Sequence, residues 1–323
     1  MFLSTLSTTI RCMSLNRALS ANEDDGDSPW CRQHRVLYQT AFYKINMEQK
    51  NEKIAILMAT YNGNKYLGEQ IDSFLSQTNS LWHLYVHDDG SKDGTLELLN
   101  DYATKYPDKI TVLDYPSQGG AMQNFMSLLE KVEADYYMFS DQDDVWHPTK
   151  IEKSYQAMKE QEAKHPEKPI IVHTDVRVVD GDLHLLHPSY REYGHIYPEK
   201  VTCFKECVIN VTLGCAMLFN KKSREVSISR PWKHALMHDG WVTTRTYAEN
   251  GIVYAIPESL MEYRNHGDNT IGATDGARFT LAYRITHFAE MLWLNMQQYR
   301  MLRSAGYGSI FTYYYYKFRI HIH

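Results

Sequence analysis

The chain has 323 residues, 43% of them hydrophobic, and 34 Lys and Arg against 39 Asp and Glu give a net charge of −5. This suits one large or two small globular domains with a sizeable core and argues against broad nucleic-acid binding. No apolar run nears the roughly 18 residues that a membrane span needs, and the odd set Cys12, Cys31, Cys203, Cys207 and Cys215, without C-x-x-C spacing, reads as reduced cytosolic thiols and excludes a disulfide frame or zinc site.

Residues 1–52 differ in character from the rest of the chain. Met1 to Ala21 is rich in Ser, Thr and Leu, with Arg11 and Arg17 and no acid, as in a transit peptide. Glu23-Asp24-Asp25-Gly26-Asp27 then suits disorder. Translation from Met47 accounts for the same pattern, since the fold requires nothing before Lys53.

From Ile54 the chain alternates strand and helix patterns. Ile54 to Ala59 is a continuous apolar run, as in a parallel strand covered on both faces. Tyr66 to Leu75 has helical spacing, Leu84 to Val86 is a second strand, and Leu96 to Tyr102 a second helix. Ile110 to Leu113 is a third strand, Met122 to Val132 a third helix, and Tyr136 to Phe139 a fourth strand. This order predicts an α/β fold with a mostly parallel, Rossmann-like sheet flanked by helices.

Past Lys150 the rhythm changes. The expected elements are a helix over Ile151 to Met158, a strand over Ile170 to Val172, and a hairpin over Val176 to Leu186 turning at Asp180-Gly181. Another strand is expected over Leu213 to Phe219. His238 to Glu249 is expected as a helix closed by Asn250-Gly251, and Ile252 to Ile256 as a strand ended by Pro257. This smaller, partly antiparallel portion reads as an acceptor half (151–275) packed on a nucleotide-binding half (53–150). Residues 276–323 form a helical tail, amphipathic over Arg278 to Arg303. From Arg278 onward it carries six Lys or Arg against the single acid Glu290, and the aromatic run Tyr313 to Tyr316 precedes Lys317-Phe318-Arg319. Basic and aromatic residues together suit either peripheral contact with a membrane interface or packing on the core.

The chemistry gathers at strand ends. Asp141-Gln142-Asp143-Asp144 lies after the fourth strand, beyond its carboxyl end, where open α/β sheets bind ligands. Carboxylates this close repel one another unless a cation neutralises them. Oxygen ligands favour Mg²⁺ or Mn²⁺, which commonly share their shell with substrate phosphates. The alternative is a solvated acidic loop ahead of a helix that Pro148 starts. Thr60-Tyr61-Asn62-Gly63 ends the first strand and Asp88-Asp89-Gly90-Ser91 the second. Tyr61 offers a flat face to a nucleotide base and Asp89 an acceptor for its imide N–H, while Asp88 suits the loop itself.

These stations, with Leu213-Gly214-Cys215-Ala216, His238-Asp239-Gly240-Trp241 and Tyr263-Arg264-Asn265-His266-Gly267-Asp268-Asn269, closely resemble the family 2 glycosyltransferases of GT-A fold. The D-Q-D-D-V-W, H-D-x-W and Y-R-x-H variants look most like bacterial rhamnosyltransferase-type members. The resemblance implies an inverting transfer of a sugar, with rhamnose a candidate, from a dTDP- or UDP-linked donor to a glycan or lipid-linked acceptor in cell-surface polysaccharide synthesis. It implies a cytoplasmic enzyme, with the inner face of the plasma membrane as a candidate place.

It also implies roles. Thr60, Tyr61, Asn62, Asp89 and Asp141 would bind the nucleotide. Asp143 and His266 would hold the metal, with Asp141 on the ribose or on the metal through water. Asp239 would be the general base. Asp144, Gly214, His238, Trp241 and Arg264 would line the donor and acceptor pockets, Trp241 as an acceptor wall and Arg264 as a bidentate phosphate partner. Two rivals stand beside this reading: a sugar-phosphate nucleotidylyltransferase, which would want a Gly-rich, Arg-containing loop after the first strand, and an inactive sugar-nucleotide-binding module.

Overall fold

The computed structural model describes residues 52–194, 212–266, 288–306 and 308–320. The expectations for residues 1–51, Cys203, Cys207, Gly267 to Asn269 and Arg278 to His287 lie outside them. Lys53–His323 forms one compact unit.

Its first half follows the expected alternation: β1 (Ile54–Thr60), α1 (Asn64–Leu75), β2 (Trp82–Asp88), α2 (Thr95–Lys105), β3 (Ile110–Val112), α3 (Ala121–Lys131) and β4 (Tyr136–Ser140). The second half adds β5 (Val145–Trp146), α4 (Lys150–Lys164), β6 (Ile170–Val179), β7 (Leu185–His187), α5 (Tyr190–Tyr193), β8 (Met217–Asn220), α6 (Lys221–Ile228), α7 (His238–Ala248) and β9 (Ile252–Arg264). Two helices, α8 (Phe288–Ser304) and α9 (Ile310–Ile320), close the described chain.

The strands form one nine-stranded sheet in the order β3-β2-β1-β4-β8-β6-β9-β5, with β7 on β6. The β1, β2, β3 and β4 set is parallel, as is the β6–β9 pair, while β8, β7 and β5 pair antiparallel to their neighbours. Alternation along β1 feeds two cores. Ile54, Ile56 and Met58 pack with Leu67, Ile71 and Phe74 on one face, and Ala55 and Leu57 with Phe125, Leu128 and Leu129 on the other. Burial on both faces is why β1 reads as an unbroken apolar run.

Four expectations from the sequence are corrected. Leu213 to Phe219 is not one strand: Gly214–Ala216 is a 3₁₀ turn and β8 starts at Met217. β9 does not stop at Pro257 but runs to Arg264, because the register against β6 slips on either side of Asp175 and the strand tolerates a residue without an N–H. The strand expected over Ile170 to Val172 and the first arm of the expected hairpin, which pairs with β7, are one continuous β6, because the polar residues between them find partners: Asp175 accepts from Ser189 Oγ (2.5 Å) and Arg191 N (3.2 Å). Pro148 precedes the helix start, and α4 opens at Lys150.

The tail packs on the core through Met301, Leu302, Ala305 and Tyr313. Its aromatic run is helical rather than irregular. Phe311, Tyr314 and Tyr315 lie along an exposed stripe of α9 at helical spacing, and Trp293 of α8 is also exposed.

Candidate active site

The loops after β1, β2 and β4 leave the same sheet edge, because these strands are parallel neighbours. Thr60 Oγ1 donates to Asp88 Oδ1 (3.0 Å) and the Thr60 carbonyl accepts from Asp89 N (2.8 Å), joining the first two loops. Asp88 also accepts from Gly90 N (3.1 Å), Ser91 N (2.8 Å) and Ser91 Oγ (2.5 Å), so it orders its own turn. Asn62, at φ 48°, donates its N–H to Ser91 Oγ (2.8 Å) and accepts from Lys92 N (3.0 Å). An asparagine tolerates that left-handed backbone better than most residues. Tyr61, 58% exposed, thereby stands as a free aromatic face at the sheet edge.

Asp89 is more engaged than its sequence context suggests. Its Oδ1 accepts from Ser117 Oγ (2.8 Å), Gln118 N (2.5 Å) and Gly119 N (3.3 Å), and Oδ2 from Gly120 N (2.7 Å). Partial burial acts to raise its pKa, but these donors outweigh burial and hold the carboxyl below the ordinary carboxylate range.

The Asp141-to-Asp144 loop is the converse. Burial, then the charges of Asp143 and Asp239, push Asp141 up to about 7. Burial, then Asp143 and Asp141, push Asp144 well above the usual range. Asp144 Oδ1 accepts from Arg264 N (3.1 Å), while its buried Oδ2 meets no N–H or O–H donor among the described residues.

β5 determines what else reaches this loop. Its two residues pair with Met261 and Glu262 of β9, which brings the end of β9 against the acids. His266 Nε2 then lies 2.8 Å from Asp143 Oδ2, with its ring 5.1 Å from that of Tyr66. The Asp143 oxygen and the His266 nitrogen are a donor pair that suits Mn²⁺ or Mg²⁺ better with oxygen added; the ligand atoms of Asp141 are grouped with those of Asp144 and Cys215 instead. The mutual elevation of Asp141 and Asp144, and the absence of an N–H or O–H donor to Asp144 Oδ2 among the described residues, both fit a cation at this loop.

Arg264 corrects an expectation. The residue is 1% exposed, its guanidinium donating to the Asp143 carbonyl (2.7 Å), the Gly181 carbonyl and Glu69, and lying 4.4 Å from the centre of the Tyr66 ring. With its ends engaged in this way, it supports the acidic loop from beneath and is not a phosphate clamp. Trp241 is the second correction. It is fully buried, with its indole N–H donating to the Ser227 carbonyl (2.9 Å), so it packs α7 onto α6 rather than walling an acceptor pocket.

Asp239 sits in the first turn of α7, where a carboxylate is favoured by the helix dipole, and accepts from Gly240 N (2.6 Å). Its charge is felt by Asp141. His238 is buried against Phe125 (ring centres 4.0 Å apart) and Phe139 (4.6 Å), and burial holds its imidazole down to about 4. A Cβ on Gly214 would stand 2.6 Å from His238 Nε2 and 3.4 Å from Asp239 Cβ. Glycine is therefore what lets the 3₁₀ turn approach α7, and the turn carries Cys215 to the acids.

Sequence reasoning missed three residues. Ligand atoms of Asp141, Asp144 and Cys215 lie within 4.8 Å of one another, and burial pushes the Cys215 thiol well up. Lys150 is fully buried beneath them, donating to the Cys215 carbonyl and 3.7 Å from the centre of the Trp146 ring, and burial brings its ammonium down to about 8. Gln142 crosses to the loop after β1, donating to the Tyr61 carbonyl (3.0 Å) and accepting from Tyr61 N (2.9 Å). Gln142 and Cys215 both lie inside segments that the sequence singled out, whereas Lys150 left no signal.

Residues 55–225 match the family model described as Glycosyl transferase family 2, a little over half of the chain. The dTDP-rhamnosyl transferase RfbG of Shigella flexneri is 26% identical over 67% of this chain and 74% of its own length. Among solved structures, the mannosyltransferase PcManGT of Pyrobaculum calidifontis, in complex with GDP-Man and Mn²⁺, superposes with a TM-score of 0.53 at 13% identity, covering 84% of this chain and 80% of that one. S. aureus TarS 1-349 in complex with UDP-GlcNAc gives 0.51 at 16% identity, covering 77% and 70%. Against a further crystal structure of TarS 1-349, the match spans 60% of that chain.

Proposed function

The chain belongs to glycosyl transferase family 2, and on that premise we propose an inverting, metal-dependent transfer of a sugar from a nucleoside-diphosphate donor to a glycan or lipid-linked acceptor. The observation that carries it is the convergence of Asp143 and His266, 2.8 Å apart, on the loop whose Asp141 feels the charges of both Asp143 and Asp239. These residues come from two loops and a helix that have nothing in common but the carboxyl edge of one sheet.

In this reading the exposed ring of Tyr61 stacks on the base. Asp89 Oδ2, whose only acceptor contact among the described residues is Gly120 N–H, keeps a lone pair for the imide N–H. Thr60 and Asn62 hold the two loops in register beneath the nucleotide. Asp143 and His266 hold Mn²⁺ or Mg²⁺, with Asp141 completing the oxygen set or reaching the ribose, and Asp144 supports the loop from within. A bound divalent ion supplies charge compensation for the departing diphosphate. Gly214 gives the donor sugar close access to the backbone, and buried His238 fixes the start of α7. Asp239 takes the acceptor hydroxyl proton as the new bond forms on the face opposite the leaving group.

Residues 53–150 serve as the nucleotide half and 151–275 as the acceptor half. The likeness to RfbG makes dTDP-rhamnose the first donor to try. No helix among the described residues is long and apolar enough to cross a membrane. The exposed Trp293, Phe311, Tyr314 and Tyr315, with Arg300 and Arg303 on α8, support peripheral contact with an anionic membrane surface.

The test is a binding screen of dTDP-rhamnose against UDP-hexoses in Mn²⁺, followed by donor hydrolysis. Slow release of the nucleoside diphosphate is expected. Turnover that depends on pyrophosphate would point to nucleotidyl transfer instead.

A further inference from the structure

We infer that Gln142 is a positioning residue that ties the loop bearing Tyr61 to the acidic loop, so that nucleotide and cation bind as one coupled event. The inference rests on the donor site proposed above and assigns a role to the residue between its acids.

The side-chain amide of Gln142 makes a two-point contact with a single backbone unit. Its nitrogen donates to the Tyr61 carbonyl (3.0 Å) and its oxygen accepts from Tyr61 N (2.9 Å). A primary amide offers one donor and one acceptor side by side, so it can close this pair as a neighbouring strand would; Glu lacks the donor and Lys or Arg the acceptor. Gly63 supplies a second, independent observation. Its φ is −104°, a backbone that any residue adopts, so glycine is not needed there for conformation. A Cβ at Gly63 would stand 2.3 Å from Gln142 Cδ and Oε1. The missing side chain makes room for the amide.

The clamp joins two functional surfaces. On one side is Tyr61, exposed for a base; on the other are Asp141 and Asp143, which flank Gln142 in sequence. Asp143 is fixed in turn by Arg264 on its carbonyl and His266 on its carboxylate. Ordering either loop orders the other through the amide. Linkage then requires that a cation tighten nucleotide binding and that nucleotide tighten cation binding by the same factor.

The test uses the full chain, UDP and dTDP as probes, and Mn²⁺. Titration calorimetry on Gln142→Ala should show the mutual enhancement of Mn²⁺ and nucleotide reduced by at least about 10-fold, with Mn²⁺ affinity in the absence of nucleotide within about 2-fold of native. Donor KM should rise while kcat changes far less. Gly63→Ala should reproduce this loss alone and add nothing in the Gln142→Ala background, since both changes break one contact. Hydrogen exchange at the Tyr61 amide reads the clamp without any ligand and should accelerate in both variants. Native coupling in Gln142→Ala, or additive losses in the double variant, overturns the inference. If the native chain binds neither probe, the donor site itself fails, and the inference with it, whatever exchange at Tyr61 shows.

Discussion

The loop after β2 and the loop after β4 both place adjacent aspartates at the carboxyl end of a parallel strand, yet their carboxylates meet opposite surroundings. Asp88 and Asp89 are enclosed by backbone N–H and hydroxyl donors from Thr60, Gly90, Ser91 and Ser117 to Gly120. Asp141 and Asp144 face each other, Asp143 and a buried thiol, and their pKa values rise. A carboxylate supplied with donors holds a loop together. Carboxylates left facing one another hold protons that a positive charge placed among them would displace. Both segments offer adjacent aspartates at a strand end, and the donors around them decide the difference.

The largest effect expected of that contrast is on turnover. Asp143→Ala should lower transfer by on the order of 10³-fold and weaken donor binding in Mn²⁺. Near-native transfer by this variant with the metal chelated would remove the contrast altogether. Asp239→Asn should lower kcat by at least about 10²-fold with donor affinity intact. Its stability should change by no more than about 1 kcal/mol, because only a helix-dipole interaction is lost. A product that keeps the donor's anomeric configuration would rule out the inverting chemistry.

Arg264→Met tests what supports the acidic loop. Removing a buried guanidinium that serves two carbonyls and Glu69 should cost about 3 kcal/mol in denaturant unfolding. A raised donor KM with unchanged stability would instead return Arg264 to the phosphate.

The smallest effects sharpen the comparison most, because their signs should differ. Asp89→Asn replaces an acceptor of several N–H groups with a mixed amide and should destabilise by about 2 kcal/mol. Asp141→Asn removes a repelled carboxylate and should stabilise the metal-free chain by about 1 kcal/mol at pH 8 while lowering activity. The pH dependence comes from the shift. Asp141 is raised in the folded state to about 7 from 3.8, so between these values the folded chain binds more protons than the unfolded chain. Stability from this group therefore falls as pH rises through that window. The advantage of Asp141→Asn over native in chelator should be absent near pH 4 and complete above pH 7. Asp89, shifted down, behaves oppositely, and its contribution is lost as pH falls below 3.8. Thermal unfolding of both variants across this range, with two changes of the same sign, would show that the loops are alike.

How far the site could be read in advance varies with how local the cause is. The parallel half was legible because burial on both faces imposes continuous apolar runs, and α1, α2 and α3 carry one apolar stripe each. The motif loops were legible for the same reason, as each is the polar break after such a run. α6, with the sequence Lys-Lys-Ser-Arg-Glu-Val-Ser-Ile, was missed because its start is set by the Asn220 side chain accepting from Ser223 N rather than by an apolar period.

By itself, then, the sequence determined the order of the elements, the edge at which the loops gather and the residue types offered there, since all three arise from local pattern. Tertiary structure alone decided which of those residues stay at the sheet edge and which face the core. Trp241 and Arg264 are polar-capable side chains in motif positions, but α6 lies over one and Glu69, Asp143 and Gly181 enclose the other. The pairing of β5 with β9 joins residues more than a hundred positions apart and sets His266 on Asp143. No local pattern encodes that register. It is fixed by the burial of both strands against the same core, where a one-residue slip would turn Trp146 and Met261 out of it.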